Sequence, residues 1–329
     1  MNRYWQITME DRARESAIQL RSNGIYNHHF GLRSVPFGLT PDTRFLYEHA
    51  SFREALNTLI IAVRSGEGFS KVTGEVGTGK TMLCRRFLNL IEGEFVTAFI
   101  PNPYLEPMTL LLAIADEIGL RYPDHVNQHQ LLKSLNYFLV ETFDRQRKSV
   151  VVCLDEAHAL PIETLEALRL LSNLDTERRK LLQIVLFGQP ELNDHLDQPV
   201  VRQLKQRISF SSVLTPLTFV QTQAYVQHRL KVAEYQGRYL LTRRAQRLLY
   251  RASGGIPRLI NILTHKALAA AYGEGLRYVG ERHMRLAAAD TEAAKPHLFW
   301  ARQHRWRTIA GVIAAASALG GAFTLGTMM

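Results

Sequence analysis

Residues 74–81 of this 329-residue chain read Gly-Glu-Val-Gly-Thr-Gly-Lys-Thr and match the pattern G-x-x-x-x-G-K-[ST]. An apolar run, Phe69–Thr73, precedes this motif, and a helical pattern, Met82–Ile91, follows it. In this context the glycines let backbone N–H groups surround a phosphate, Lys80 bridges the β- and γ-phosphates, and the Thr81 hydroxyl coordinates Mg²⁺. The alternative is a glycine-rich turn that matches by chance. The strand before the motif and the helix after it favour a phosphate-binding loop.

Between residues 69 and 214, short apolar runs alternate with helical patterns. The runs are Phe69–Thr73, Phe95–Ile100, Ser149–Leu154, Leu181–Phe187 and Ile208–Leu214. Helical spacing occurs at Ser51–Arg64, Pro107–Gly119, Gln128–Phe143 and Pro161–Leu174. Four of the five runs are rich in β-branched and aromatic residues, which is typical of strands buried on both faces of a parallel sheet. The alternation predicts an α/β domain, and only helical patterns follow it, from Phe219 to Glu292.

The apolar run Ser149–Leu154 ends in two carboxylates, Asp155 and Glu156. Two acids beside a buried strand are costly unless a cation compensates them. A magnesium nucleotide would do so: Asp155 would bind Mg²⁺ through water, and Glu156 would polarise the attacking water as a general base. The alternative is that Asp155 caps the helix that begins near Pro161. The phosphate-binding motif favours the catalytic interpretation.

For three weaker features, the residues alone do not decide between a functional and a structural role. Gln189 follows an apolar run, where its amide would either orient water beside the γ-phosphate or belong to a turn. Arg202 and Arg207 flank a short helical piece before the last run, and most arginines in such places are simply solvated. Arg258 follows the interruption Ser253–Pro257 and would either reach a phosphate or cap its own surface.

Composition excludes a disordered polymer, because 46% of the residues are hydrophobic and only 21% are charged. The two cysteines, Cys84 and Cys153, exclude a disulfide scaffold, and we expect both to be reduced core thiols. The net charge of +10 is uneven: 24 basic and 25 acidic residues precede Phe219, whereas 16 basic and 5 acidic residues lie from Phe219 onward. The basic part would face nucleic acid, an anionic membrane surface or an acidic partner, and charge alone does not choose among these.

Four motifs together resemble those of AAA+ ATPases and, more narrowly, those of the general secretion pathway A-protein (ExeA-like) group. They are Gly74–Thr81, Asp155–His158, Phe187–Leu192 and Gly254–Arg258. The lead Phe30–Tyr47 and the segment Gly66–Phe69 match the start of the same group. Two segments, Ile100–Leu105 and Gly255–Leu263, are most similar to the MshM branch, which serves mannose-sensitive haemagglutinin (type IV) pilus biogenesis. The resemblance covers about residues 26–292.

The resemblance implies an α/β P-loop NTPase (AAA+) parallel-sheet sandwich followed by an all-helical lid. It also implies ATP and Mg²⁺ as ligands and self-association into an oligomer. Gln189 would sense the γ-phosphate, and Arg258 would be the lid arginine that contacts the nucleotide of its own subunit. Arg207, with Arg202 as the second choice, would be the arginine finger offered to a neighbouring subunit's nucleotide. The nucleotide-binding set is then Gly74, Glu75, Val76, Gly77, Thr78, Gly79, Lys80, Thr81, Met82 and Arg258. The catalytic set is Glu156, Gln189 and Arg207, and the metal ligands are Thr81 and Asp155.

These patterns divide the chain into five predicted segments. They are an N-terminal extension of unknown role (1–24), the AAA+ α/β domain (25–218), a helical lid (219–292), a basic juxtamembrane linker (293–308) and a transmembrane helix (309–329). The last segment has no charged residue and would span roughly 31 Å as a helix, close to the hydrocarbon thickness of a bilayer. Three arginines and two tryptophans lie at residues 300–307, which predicts a bacterial inner-membrane location with the ATPase domain in the cytoplasm. The alternative is a small-residue helix packed on another protein, or a frayed tail.

The expected function is that of a membrane-associated AAA+ ATPase that drives or regulates assembly of a type IV (MSHA-like) pilus or a secretion apparatus. Its expected partners are assembly proteins at the inner membrane. The alternative is a DNA-handling AAA+ ATPase of the transposition or origin-recognition kind, since the basic helical end would hold phosphates. No helix-turn-helix reader is recognisable, so nucleic acid is not the expected partner. A nucleotide-dependent scaffold that barely cleaves ATP is disfavoured by the Asp155–Glu156 pair.

Overall fold

The computed structural model describes residues 25–40, 42–101, 104–171 and 180–294. These residues divide into two compact units. Residues between 42 and 216 form an α/β unit, and residues 25–40 form a helical unit together with residues 217–294.

A five-stranded parallel sheet is the centre of the α/β unit. Its strands are β1 (Phe69–Gly74), β2 (Val96–Ile100), β3 (Val150–Leu154), β4 (Leu182–Gly188) and β5 (Ile208–Leu214). The five predicted runs are therefore confirmed as strands, in the spatial order β2-β3-β4-β1-β5. The central strands β3 and β4 are buried along their whole length, as continuous apolar sequence requires, whereas the edge strand β5 alternates between partly buried and exposed residues. Because all strands are parallel, their carboxyl ends meet at one edge of the sheet, where β1 ends beside β4.

Twelve α-helices are present in the described residues. They are α1 (Asn27–Phe30), α2 (Ala50–Arg64), α3 (Lys80–Ile91), α4 (Pro107–Glu117), α5 (Gln128–Gln146), α6 (Ile162–Leu171), α7 (Glu191–Leu196), α8 (Arg202–Arg207), α9 (Phe219–Val232), α10 (Arg243–Ser253), α11 (Pro257–Gly273) and α12 (Glu281–Ala289). Short 3₁₀ turns occupy Thr43–Phe45, Ala157–Ala159, Pro199–Val201 and Glu292–Ala294.

Helices cover both faces of the sheet. On one face, α2 and α3 pack through residues such as Phe52, Leu59 and Phe87 against Val72 and Phe187 of the strands. On the other face, α4, α5 and α6 bury their apolar residues against β3 and β4. The result is a three-layer arrangement in which each helix buries one apolar stripe. It confirms the predicted parallel-sheet sandwich.

The two cysteines lie in the core between the sheet and helices α2 and α3. Cys84 belongs to α3 and Cys153 to β3, and both are fully buried and free. The expectation of reduced core thiols is therefore confirmed.

Residues 25–40 belong to the helical unit, although the sequence-based boundary at residue 218 grouped them with the α/β domain. The Tyr26 hydroxyl lies 2.6 Å from His265 Nδ1, and the Arg33 backbone N–H donates to the Ala233 carbonyl at 3.0 Å. The buried Arg229 guanidinium donates to the carbonyl of Pro36. These contacts join residues about 200 positions apart, so no local pattern indicates them.

The transmembrane part of the predicted fold is not supported. Residues 309–329, predicted to span a membrane, lie outside the described residues, as do residues 1–24 and 295–308. Among the helices of the described ranges, none is long and apolar enough to cross a bilayer. The longest of them, α5, has 19 residues but carries four charged side chains and buries only one face. We therefore correct the prediction of an inner-membrane location with a single C-terminal span.

Candidate nucleotide site

The loop between β1 and α3 has the shape that its glycines dictate. Gly79, the residue before α3, has φ +107°. This lies in the left-handed region of backbone conformation, which residues with a Cβ atom rarely adopt. A Cβ added at Gly74 would lie 2.9 Å from the Leu214 carbonyl oxygen and from Thr78 Oγ1. The loop is therefore closely packed against β5 at Gly74. Backbone N–H groups of such a glycine-rich loop can bind an anion.

Lys80 is a buried cation at the start of α3. The residue is 5% exposed, and its ammonium group donates to the carbonyl oxygens of Gly74 at 2.7 Å and Glu75 at 3.1 Å. Burial lowers the pKa of Lys80, and the nearby carboxylates of Glu156 and Asp155 oppose that shift. Because the hydrogen bonds of this buried ammonium in the described residues go to neutral carbonyls, it would gain from a phosphate anion, so Lys80 fits a nucleotide.

Thr81 and Asp155 join the phosphate-binding loop to the end of β3. The Thr81 hydroxyl donates to Asp155 Oδ2 at 2.6 Å, and the Glu156 backbone N–H donates to Asp155 Oδ1 at 3.0 Å. Burial raises the pKa of Asp155, whereas these two hydrogen bonds act in the opposite direction. A buried carboxylate beside a hydroxyl is the oxygen-donor set that Mg²⁺ takes together with nucleotide phosphates, so the residues fit this metal.

Glu156 occupies an unusual backbone position directly after Asp155. Its φ of +54° and ψ of +35° place it in the left-handed region, which is rare for a residue other than glycine. Such conformations occur most often where the local structure holds a functional group in place. The Glu156 side chain is 44% exposed, so it is open to water while its neighbour Asp155 is buried.

His158 lies between Glu156 and Gln189. The Gln189 side-chain nitrogen lies 2.7 Å from His158 Nε2, and the Gln189 backbone N–H donates to His158 Nδ1 at 3.4 Å. Glu156 Oε2 lies 3.6 Å from the same Nδ1. Gln189 directly follows β4, beside the end of β1, so these three side chains meet next to the loop. From the sequence, His158 is interpreted as a structural or coupling residue rather than a ligand, and it is not among the predicted site residues, although it belongs to the same four-residue motif.

The remaining predicted residues are Arg207, Arg202 and Met82 of the α/β unit and Arg258 of the helical unit. Arg207 ends α8, and its Nη1 donates to the Arg169 carbonyl oxygen at 3.1 Å. Arg202, at the other end of α8, is exposed. Met82 lies in the first turn of α3 and packs against the apolar cluster beneath it. Arg258 is an exposed residue in the first turn of α11, within the helical unit.

The chain is similar to known proteins of one family. A family model described as an AAA domain matches residues 63–196. The "General secretion pathway protein A" of Aeromonas hydrophila is 40% identical over 276 residues, which are 84% of this chain and 50% of that protein. The chain thus spans about half the length of this curated relative.

Two solved structures illustrate the likeness in fold. Cdc6p from Pyrobaculum aerophilum has a TM-score of 0.59 at 17% identity, covering 75% of this chain and 70% of its own. The ORC1 protein of Aeropyrum pernix, in complex with DNA, has a TM-score of 0.55 at 20% identity, covering 78% of this chain and 69% of its own. At such identities the likeness shows the fold alone.

The chain belongs to the AAA+ ATPase family and has its P-loop and parallel sheet. The predicted resemblance to the general secretion pathway A-protein (ExeA-like) group is confirmed. Its narrower assignment to the MshM branch stays a prediction.

Proposed function

We propose that this chain binds ATP with Mg²⁺ at the loop around Lys80, hydrolyses it, and uses the cycle to drive or regulate assembly of a secretion apparatus or a type IV pilus. The hydrogen bond between Thr81 and Asp155 supports the first part most directly. It joins two residues 74 positions apart, one from the phosphate-binding motif and one from the end of β3. A shared ligand for these two segments explains why a carboxylate is kept buried there.

The chain's own residues divide the chemistry between them. The loop N–H groups and Lys80 hold the phosphates, and Thr81 and Asp155 hold the metal. When bound, Mg²⁺ neutralises charge on the phosphate oxygens. Glu156, open to water, accepts a proton from the attacking water as the general base. In this proposal Gln189 orients that water or senses the γ-phosphate, and Arg258 contacts the nucleotide.

Lys80→Ala tests nucleotide binding. We expect ATP to bind about 30- to 150-fold more weakly, because a charge-assisted hydrogen bond worth roughly 2–3 kcal/mol is lost. Titration of a fluorescent ATP analogue measures this effect. Lys133→Ala is the matched control, since Lys133 is on α5 and plays no part in the site. Equal binding by the Lys80 variant and the parent would contradict the proposed site.

His158→Ala tests whether the imidazole positions Glu156 and Gln189. We expect kcat to fall roughly 10- to 100-fold with KM for ATP almost unchanged, because small displacements of catalytic groups cost rate rather than ground-state binding. Steady-state hydrolysis measures both constants. His158→Gln should recover part of the rate, and His125→Ala, at an exposed position, should leave it unchanged. A rise in KM with kcat intact would assign His158 to nucleotide binding instead.

The secretion or pilus role is supported by the identity to the Aeromonas hydrophila protein, whose name places it in the general secretion pathway. Complementation of a deletion strain tests this role. The parent chain should restore secretion or piliation, whereas Lys80→Ala and Glu156→Gln, expressed at equal levels, should not. Restoration by both variants would show that the role does not require the ATP cycle.

A further inference from the structure

Helix α10 carries a row of four arginines on one face. At about 100° per residue, the four fall within an arc of roughly 100°, and they extend over about 12 Å of the helix. We call this row the arginine stripe, and it consists of Arg243, Arg244, Arg247 and Arg251. All four are exposed. The opposite face, with Ala245, Leu249 and Ala252, is buried in the helical unit.

The stripe is not neutralised within the described part of the chain. Four acidic residues of the helical unit pair with cations elsewhere: Glu234 with Arg33, Glu274 with Arg282, Glu281 with Arg285 and Asp290 with Lys266. No carboxylate of the described residues lies within 4.0 Å of any arginine of the stripe. Four like charges at neighbouring positions on one helix repel each other, so an external anion would stabilise this arrangement.

We propose that the arginine stripe binds the phosphate backbone of a nucleic acid. Guanidinium groups form bidentate hydrogen bonds with phosphates, and all four residues are arginine rather than lysine. Along the axis of a duplex, each strand places one phosphate about every 3.4 Å, so a stripe of 12 Å is matched by roughly four phosphates of one strand. Such a contact depends on the charge of the phosphates and not on the base sequence, so it requires no helix-turn-helix motif.

The chemistry of the face favours this partner over a protein or a membrane. A stable protein interface has an apolar centre, yet no large apolar residue of α10 is among the exposed ones. An interfacial membrane helix inserts its apolar face into the lipid, and in α10 that face is already buried in the core of the helical unit. A phosphodiester backbone is bound by charge and hydrogen bonds alone.

Duplex binding by the arginine stripe does not require ATP hydrolysis, so the two properties are measured separately. Binding of a fluorescein-labelled 20-base-pair DNA duplex to the full chain is measured by fluorescence anisotropy over a range of salt concentrations. We expect micromolar binding whose logarithmic salt slope is about −3.6, corresponding to four phosphate contacts. Lys80→Ala should bind the duplex as the parent does.

Changing the four stripe residues to Gln should weaken duplex binding at least tenfold and bring the salt slope close to zero. The matched control changes four cations that are already ion-paired, Arg33, Lys266, Arg282 and Arg285, to Gln. It removes the same charge and should keep most of the affinity. If the quadruple variant does not fold, as judged by its thermal transition, the single changes Arg247→Gln and Arg251→Gln should each reduce the slope by about 0.9.

Three outcomes would overturn the inference. The first is no binding by the parent, and the second is equal loss in the stripe variant and the control. The third is binding of polyglutamate, or of vesicles with anionic lipid, as strongly as of the duplex. The last result would assign the stripe to an acidic protein or to a lipid surface.

Discussion

Glu156→Gln is expected to bind ATP as tightly as the parent and to hydrolyse it about 10²- to 10⁴-fold more slowly. The amide has nearly the same size and still forms hydrogen bonds, but it cannot accept the proton of an attacking water. Glu156 suits the role of general base because its side chain is open to water, while the adjacent Asp155 is buried and hydrogen-bonded to Thr81. The two neighbouring carboxylates thus have different surroundings, as the proposed division of tasks requires.

Single-turnover kinetics measure the rate of hydrolysis, and titration of a fluorescent nucleotide measures the affinity for ATP. Glu141→Gln is a suitable control, because Glu141 forms an exposed ion pair with Arg145 on α5 and such pairs contribute little. If the Glu156 variant hydrolyses ATP at the parent's rate, another residue is the base. If it fails to bind ATP, Glu156 belongs to the binding site and the division of tasks is wrong.

Arg207→Ala is expected to lower ATP hydrolysis by about 10³- to 10⁵-fold in the assembled protein, if Arg207 is the arginine finger of the proposed oligomer. A finger supplied by a neighbour acts only after assembly, so the parent's rate per subunit should rise with protein concentration. The variant should stay slow at every concentration and still bind ATP. In the described chain, Arg207 donates to the Arg169 carbonyl oxygen, and this bond would have to break for the guanidinium to reach a neighbour.

Arg202→Ala is the comparison that makes the test specific. Arg202 is exposed at the start of α8, and it was the second choice for the same role. Loss of activity in the Arg202 variant with an active Arg207 variant would move the finger to Arg202. Full activity of both variants at all concentrations would contradict a finger supplied from this helix.

The strands and the phosphate loop could be predicted because their signals are local. A buried parallel strand such as β3 must be apolar along its whole length, and the glycines of residues 74–81 permit backbone angles that other residues avoid. The meeting of the loop with Asp155 also follows from sequence, because parallel strands end at a common edge. Helix bounds were reproduced less closely: the predicted Gln128–Phe143 helix continues to Gln146.

Other features depend on side-chain contacts that no periodicity reports. The bonds of Tyr26 with His265 and of Arg229 with Pro36 place residues 25–40 in the helical unit. The link from His158 to Gln189 arises because β4 ends beside the turn that follows β3. The sequence located the basic charge in the C-terminal third, and the structure shows that the arginine face of α10 is the exposed one.

The membrane prediction failed for a different reason. It depended on the length and lack of charge of residues 309–329 and on the arginines and tryptophans at residues 300–307, all of which lie outside the described residues. The described helices offer no replacement, since each is too short or too polar to span a bilayer.

The central claim is that Lys80 and the carboxylates after β3 act on one magnesium-bound triphosphate. A crystal structure of the Glu156→Gln variant with ATP and Mg²⁺ tests it most directly. We predict that Lys80 Nζ turns from the Gly74 carbonyl to the phosphates, while Asp155 lies at the metal bound to the same nucleotide. A structure with the nucleotide at Lys80 and the Asp155 carboxylate remote from it would contradict the account.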